Sequence, residues 1–167
     1  MHPVVEHSTF IAASPEAVYR ALATADGLNA WFTTASEVDA RAGGRIVLRW
    51  RNFGVDGIDA EDGGPVLEAE PGRVFSFQWQ PAGEGADPST VRMELSAFAG
   101  GTRVDLTERG FDSAREASLS AALMVAVGWG EALTLLKFFL EAPEAYRHPG
   151  TWRSIESDDA EARAHAG

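Results

Sequence analysis

The stretch Arg115–Ala142, REASLSAALMVAVGWGEALTLLKFFLEA, constrains this chain more than any other. Leu119, Ala122, Ala126, Trp129, Leu133, Leu136 and Leu140 recur at alternating steps of three and four, which lays them along one face of a helix. Leu123, Val127, Leu135, Phe138 and Phe139 widen that stripe, so the helix is apolar around much of its girth and needs partners on more than one side. Ser113 with Glu116 three residues later has the form of a capping box, and Pro143 marks the end. Upstream, the chain reads mostly as short strands. The simplest architecture is one long helix clasped by a sheet.

A chain of 167 residues is large enough for one domain with a substantial core, taken here as residues 1–156, with 157–167 a flexible C-terminal tail. Lys and Arg total 14 against 25 Asp and Glu, a net charge of −11. That balance works against attraction to nucleic-acid phosphates or to an anionic membrane. With no cysteine, disulfides, thiolate nucleophiles and thiolate metal sites are excluded. His2, His7, His148 and His165 show neither HxH nor HExxH spacing, and the acidic loop around Asp56, Asp59, Glu61 and Asp62 lacks the EF-hand pattern. Neither a metal nor a cofactor is expected. The N-terminus lacks the form of a secretion signal. The uncharged run Ala117–Gly130 is too short to span a bilayer, so a cytoplasmic location is expected.

The remaining elements follow from local pattern. Val4–Ala12 reads as a strand, and Ser14-Pro15-Glu16 as a helix start with serine at the N-cap and proline in the first turn. That helix carries Val18, Ala21 and Leu22 to Asp26-Gly27, and a short helical turn over Leu28–Phe32 follows. Gly43-Gly44 forms a hairpin turn between strands Ser36–Arg41 and Ile46–Phe53, the latter with Ile46, Leu48 and Trp50 on one face. Gly54–Pro65 reads as an acidic loop and Pro81–Ser89 as a polar one. Strands at Val66–Ala69, Val74–Gln80, Val91–Ala97 and Arg103–Glu108 complete the set. Glu108 falls on the same face as Val104 and Leu106. Gly128 and Gly130 are expected to let the sheet approach the long helix. Runs of strands flanked by helices make this an α+β domain with an antiparallel sheet.

Taken in order, ASPEAVYRAL, GLNAWF, the Gly-Gly hairpin before an aromatic strand, ERGF and GWGEALTLLKFFLE resemble the Aha1-like (activator of Hsp90 ATPase homologue) branch of the START-like, or SRPBCC, superfamily. The resemblance spans roughly residues 4–142 and is closest to single-domain bacterial members. It implies the helix-grip fold, in which a curved antiparallel sheet wraps the C-terminal helix and often encloses an apolar cavity. In many relatives a histidine matches Glu108, so whatever that histidine does is not carried over.

In such a fold a pocket of about 300–1,000 Å³ would sit at the open end of the grip. Its candidate lining is Trp31, Phe32, Trp50, Phe53, Phe77, Trp79, Met93, Phe111 and Trp129, with Glu108 the ionisable residue of interest. Glu108 either faces the cavity, where desolvation raises its pKa and makes it a candidate acid or base, or lies at the wet rim or against Arg49 or Arg51. His7 shares a strand face with Val5, Thr9 and Ile11. The leading expectation is binding of a small, largely apolar molecule; self-association as a homodimer is compatible with it. A co-chaperone acting on an Hsp90-type ATPase is the second, and a cyclase-, aromatase- or hydrolase-like enzyme the third. No complete catalytic constellation is present, which ranks the enzyme last.

Overall fold

The computed structural model describes residues 2–83 and 85–165. β1 (Val5–Ile11) leads to α1 (Pro15–Ala23) and α2 (Ala25–Trp31). Then come β2 (Ala35–Val38), β3 (Arg45–Phe53), β4 (Ile58–Glu70), β5 (Val74–Trp79), β6 (Ser89–Phe98) and β7 (Gly101–Arg109). α3 (Glu116–Glu141) follows, and a 3₁₀ turn (Pro149–Thr151) opens into α4 (Trp152–His165). The strands form one antiparallel sheet in the order β1-β7-β6-β5-β4-β3-β2. Register shifts after Trp50 and after Val66 bend it around α3, giving the helix-grip architecture.

The inward faces of the strands carry the alternation expected of them. Ile46, Leu48 and Trp50 on β3, Val91, Met93 and Leu95 on β6, and Val104 and Leu106 on β7 are all buried. α1 adds Val18, Tyr19 and Leu22, and α3 adds Trp129, Leu133 and Leu136. The C-terminal half of α3 is fastened to β1 by polar bonds. Lys137 Nζ donates to the Phe10 carbonyl at 2.6 Å, and Glu141 accepts from the Ala12 amide at 2.8 Å. By length and composition α3 could cross a membrane, yet its Trp129, Leu133 and Leu136 face is core of this domain.

Several elements differ from the sequence-based expectation. The segment read as the loop Gly54–Pro65 is mostly strand: β4 begins at Ile58 and pairs with β3 from Ile58↔Phe53 to Pro65↔Arg45. Polar cross-strand contacts replace apolar ones there, with Glu61 bonded to Arg49 at 2.7 Å and Asp59 accepting the Asn52 amide at 2.8 Å. Glycine is required at position 63, where a Cβ would stand 2.2 Å from the Ile46 carbonyl oxygen. α2 starts at Ala25, earlier than expected, because the Thr24 hydroxyl caps the Gly27 amide.

α3 starts at Glu116 with Arg115 at the N-cap, which makes no side-chain capping bond, in place of the expected Ser113 capping box. Asp112 turns the chain instead, accepting from the Ala114 amide at 2.9 Å. The buried stripe of α3 runs through Ala121, Ala122, Val125, Trp129, Ala132, Leu133 and Leu136, leaving Leu119 and Ala126 exposed. Gly128 and Gly130 do not bring the sheet close, since a Cβ on either would meet nothing within 4 Å. The expected boundary at residue 157 falls inside α4, which is helical to His165 with no buried residue. The last two tail residues lie outside the described ones. The segment before α4 is anchored by Tyr146, whose hydroxyl donates to the Trp31 carbonyl at 2.5 Å.

Candidate functional site

The alternation along β7 turns Val104, Leu106 and Glu108 toward α3, and the Glu108 side chain is completely buried. Its partners come from three other elements. Trp79 at the end of β5 donates its indole N–H to Oε1 at 2.7 Å, and the Ser89 hydroxyl at the start of β6 donates to the same oxygen at 2.5 Å. Trp129, midway along α3, donates its indole N–H to Oε2 at 2.6 Å. Two of the three places expected for Glu108 are thereby corrected: it lies neither at a wet rim nor against an arginine. Arg49 is held by Glu37 and Glu61, and Arg51 donates to the Trp50 and Ala60 carbonyls.

An indole has only an N–H to give, so the two tryptophans act as fixed donors and the carboxylate fixes their rings. Burial pushes the Glu108 pKa up; the bonds from Ser89, Trp129 and Trp79 pull it down without cancelling that effect, and the charge of Asp62 adds to the rise. Asp62 is itself raised by burial while accepting the Gly63 and Gln80 amides. In this arrangement the Glu108 carboxylate holds the two indole rings in place.

The two indoles it holds are 5.5 Å apart by ring centroid and belong to a chain of rings. Phe32 lies 6.2 Å from Trp129 and Phe77 lies 6.0 Å from Trp79. On their outer side opens a cleft of about 220 Å³, walled by Phe32, Trp79, Trp129, Pro81, Met124 and the bare backbone of Gly128, with Val125 and Ala132 at its floor and side. This is smaller than expected, because most of the proposed lining is core. Trp31 is completely buried with its indole bonded to the Ala21 carbonyl at 2.9 Å. Trp50 bonds the Phe32 carbonyl at 2.8 Å. Phe77, Met93 and Phe111 are buried, and Phe53 packs at 6.0 Å on His148 beside the C-terminal segment. None of these lines the cleft, and neither does His7, which sits opposite Leu106 in the β1–β7 pair.

Of the expected residues, the structure therefore gathers Phe32, Trp79 and Trp129 at the cleft with Glu108 behind them. Sequence reasoning missed Pro81, Met124 and Gly128 at the mouth and Ser89 at the carboxylate. The signal for Ser89 is its place two residues before Val91, the cross-strand partner of Glu108, which puts its side chain on the Glu108 face. A larger groove of about 460 Å³ along Arg45, Arg49, Glu61, Asp62 and Gln80 is polar surface whose Arg49 is already paired. Among the described residues there is no group of three or more His, Asp or Glu that could hold a metal ion.

Comparison with known proteins agrees with this architecture. The crystal structure of protein MLL2253 from Mesorhizobium loti superimposes with a TM-score of 0.69 at 22% identity, over 83% of this chain and 97% of that one. An Aha1 dimer from Colwellia psychrerythraea gives 0.68 at 22% identity, over 84% and 97%. CalU16 from Micromonospora echinospora gives 0.65 at 23% identity, over 99% and 96%. At these identities the likeness establishes the fold. No curated protein sequence matches the chain significantly. The family described as activator of Hsp90 ATPase homolog 1-like protein matches residues 12–141, most of the chain, and the chain belongs to that family.

Proposed function

We propose that this protein binds a small, flat, largely apolar molecule in the cleft between the end of β5 and the middle of α3, in the cytoplasm. The observation that supports this reading most is the pair of indoles anchored from behind by a sealed carboxylate, with their outer faces left to an opening where α3 carries glycine. Anchored rings lose little freedom on binding, which is how preorganised sites gain affinity. Among the described residues no ionisable side chain lines the cleft, and Glu108 cannot reach it past its three donors, which favours binding over catalysis.

The opening suits one or two fused rings. Such a ligand buries about 150–250 Å² of apolar surface, or about 4–6 kcal/mol at roughly 25 cal/mol per Å² before ordering costs. That corresponds to dissociation constants of about 1 mM down to tens of micromolar. Titration with 2-naphthol, followed by tryptophan fluorescence, tests the reading. Saturable quenching that disappears in Gly128→Leu supports it; unsaturable quenching, or saturation unaffected by Gly128→Leu, refutes it. Membership of the Hsp90-activator family favours a second reading, contact with an Hsp90-type ATPase. An ATPase assay of the host Hsp90 homologue with added protein tests it, and an unchanged rate removes it.

A further inference from the structure

Glu108 is a completely buried carboxylate whose three partners are all neutral: the indoles of Trp79 and Trp129 and the hydroxyl of Ser89. No ion pair among the described residues includes it. The titratable groups on the elements packed around it do not supply a counter-charge. Asp62 on β4 is a second acid, whose charge makes ionisation of Glu108 harder. His7 on β1 stands opposite Leu106 and is not among the groups bonded to Glu108. On β7 itself, Arg109 is exposed and alternates to the other face of the sheet. On α3 the charge near the cleft is again negative: Glu131, exposed, lies three residues beyond Gly128 and so on the same side of the helix. Folded proteins ordinarily pair a buried charge, because an unneutralised one is costly. A proton relieves that cost at low pH, and a cation close by relieves it at higher pH.

The nearest place for a cation is the cleft, one indole away from the carboxylate. The hydrogen bonds turn the positive N–H edge of each indole toward Glu108. A carboxylate on that edge polarises the ring and strengthens the attraction of its negative π face for positive charge. Phe32 adds a third ring, with its centroid 6.2 Å from that of Trp129. No Lys, Arg or His is among the described lining residues, so nothing there repels a cation. The chain as a whole carries a net charge of −11, which draws cations toward it. The lining side chains also offer no oxygen or nitrogen acceptor. A cation bearing N–H groups would lose its water without replacement, whereas an alkylated one has no N–H to satisfy.

We infer that the ligand of the cleft is an organic cation without N–H groups, an N-alkylated heteroaromatic ring or a quaternary ammonium on a flat apolar body, with Glu108 as its counter-charge across the indoles. This rests on the reading of the cleft as a small-molecule site and names the chemical class that the site prefers.

Titration calorimetry of the full chain at about pH 8 and about 0.15 M salt tests it, with 1-methylquinolinium against 4-methylquinoline. The two share a bicyclic frame and one methyl group and differ in charge. The quinolinium is expected to bind about tenfold tighter, as a partly desolvated cation–π contact provides. The flat anion 2-naphthoate should bind more weakly than either. Gly128→Leu, which fills the cleft, should abolish binding of both bicycles, and Glu108→Gln should bring their affinities within about twofold of each other. Equal affinities in the wild type overturn the cation inference and leave the small-molecule reading standing, whereas no binding by either compound overturns both. A preference that persists in Gly128→Leu reports attraction to the acidic surface and overturns the inference. So does one that persists in folded E108Q. Should E108Q fail to fold, Trp79→Phe takes its place, since it keeps a ring and loses the bond to the carboxylate; an undiminished preference there overturns the inference as well.

Discussion

Replacing Glu108 by glutamine separates a carboxylate that positions two indoles from one that merely fills space. The carboxylate offers Oε1 to Trp79 and Ser89 and Oε2 to Trp129. An amide keeps only one oxygen. If that oxygen takes the Oε1 place, the amide N–H₂ opposes the Trp129 N–H; if it takes the Oε2 place, the amide opposes Trp79. Either way one buried indole donor is orphaned, at a cost of about 1–3 kcal/mol. The protonated acid avoids this, because its own hydroxyl can donate to Ser89 while both indoles stay bonded. The pH dependence follows with a definite sign. Glu108 has its folded pKa raised by burial, so the folded state holds the proton more tightly than the unfolded state. Its contribution to stability is therefore greatest below the unfolded glutamate pKa and is lost as pH rises through the folded value. Glutamine does not titrate, so the gap between wild type and E108Q should be wider near about pH 5 than near about pH 8. Urea unfolding at both pH values, followed by tryptophan fluorescence and circular dichroism, measures it. A variant as stable as wild type at both, or a gap that widens with pH, refutes the reasoning.

Other outcomes follow from the same coordinates. Gly128→Ala should stabilise the fold by about 0.5–1 kcal/mol in thermal unfolding, since α3 is regular there and the new Cβ meets nothing. Gly63→Ala should instead destabilise it beyond about 1 kcal/mol, because the Cβ would collide with the β3 backbone. Leu136→Ala, at a completely buried position, should cost about 2–5 kcal/mol in urea unfolding. His148 accepts the Gly150 amide at Nδ1 and donates from Nε2 to the Thr33 carbonyl, and burial lowers its pKa. The unfolded state then takes the proton first, so stability should be lost as pH falls below the ordinary histidine pKa toward the folded one, a slope that His148→Asn removes in the same assay.

The comparison of sequence with structure teaches most where the two part. Strands with apolar alternation, such as Ile46–Leu48–Trp50 and Val104–Leu106, were legible because one buried face demands period two. β4 was not, because its first half pairs through Asp59, Glu61 and glycine backbone, residues that elsewhere signal a loop. The helix α3 was plain, but its buried stripe was misplaced toward Leu119 and Ala126. An all-round apolar helix carries no angular information about which side meets the sheet. That ambiguity has a physical origin, since the side opposite the core is apolar as well. At the site, the aromatic residues were identifiable and their sorting was not. Whether a tryptophan walls a cleft or fills the core depends on where its N–H finds an acceptor, and the acceptors for Trp31 and Trp50 are backbone carbonyls no pattern reveals. Glu108 was singled out from its strand register; its partners lie 19, 21 and 29 residues away in sequence, beyond any local signal.

The central claim is that two carboxylate-anchored indoles form one wall of a small-molecule site. It is tested most directly by nitrogen-15 correlation spectra of the five indole N–H groups during titration with 2-naphthol. The account predicts saturable shifts of the Trp79 and Trp129 signals with Trp31 and Trp50 nearly unmoved. Shifts confined to other tryptophans, or none at a saturating probe concentration, would contradict it.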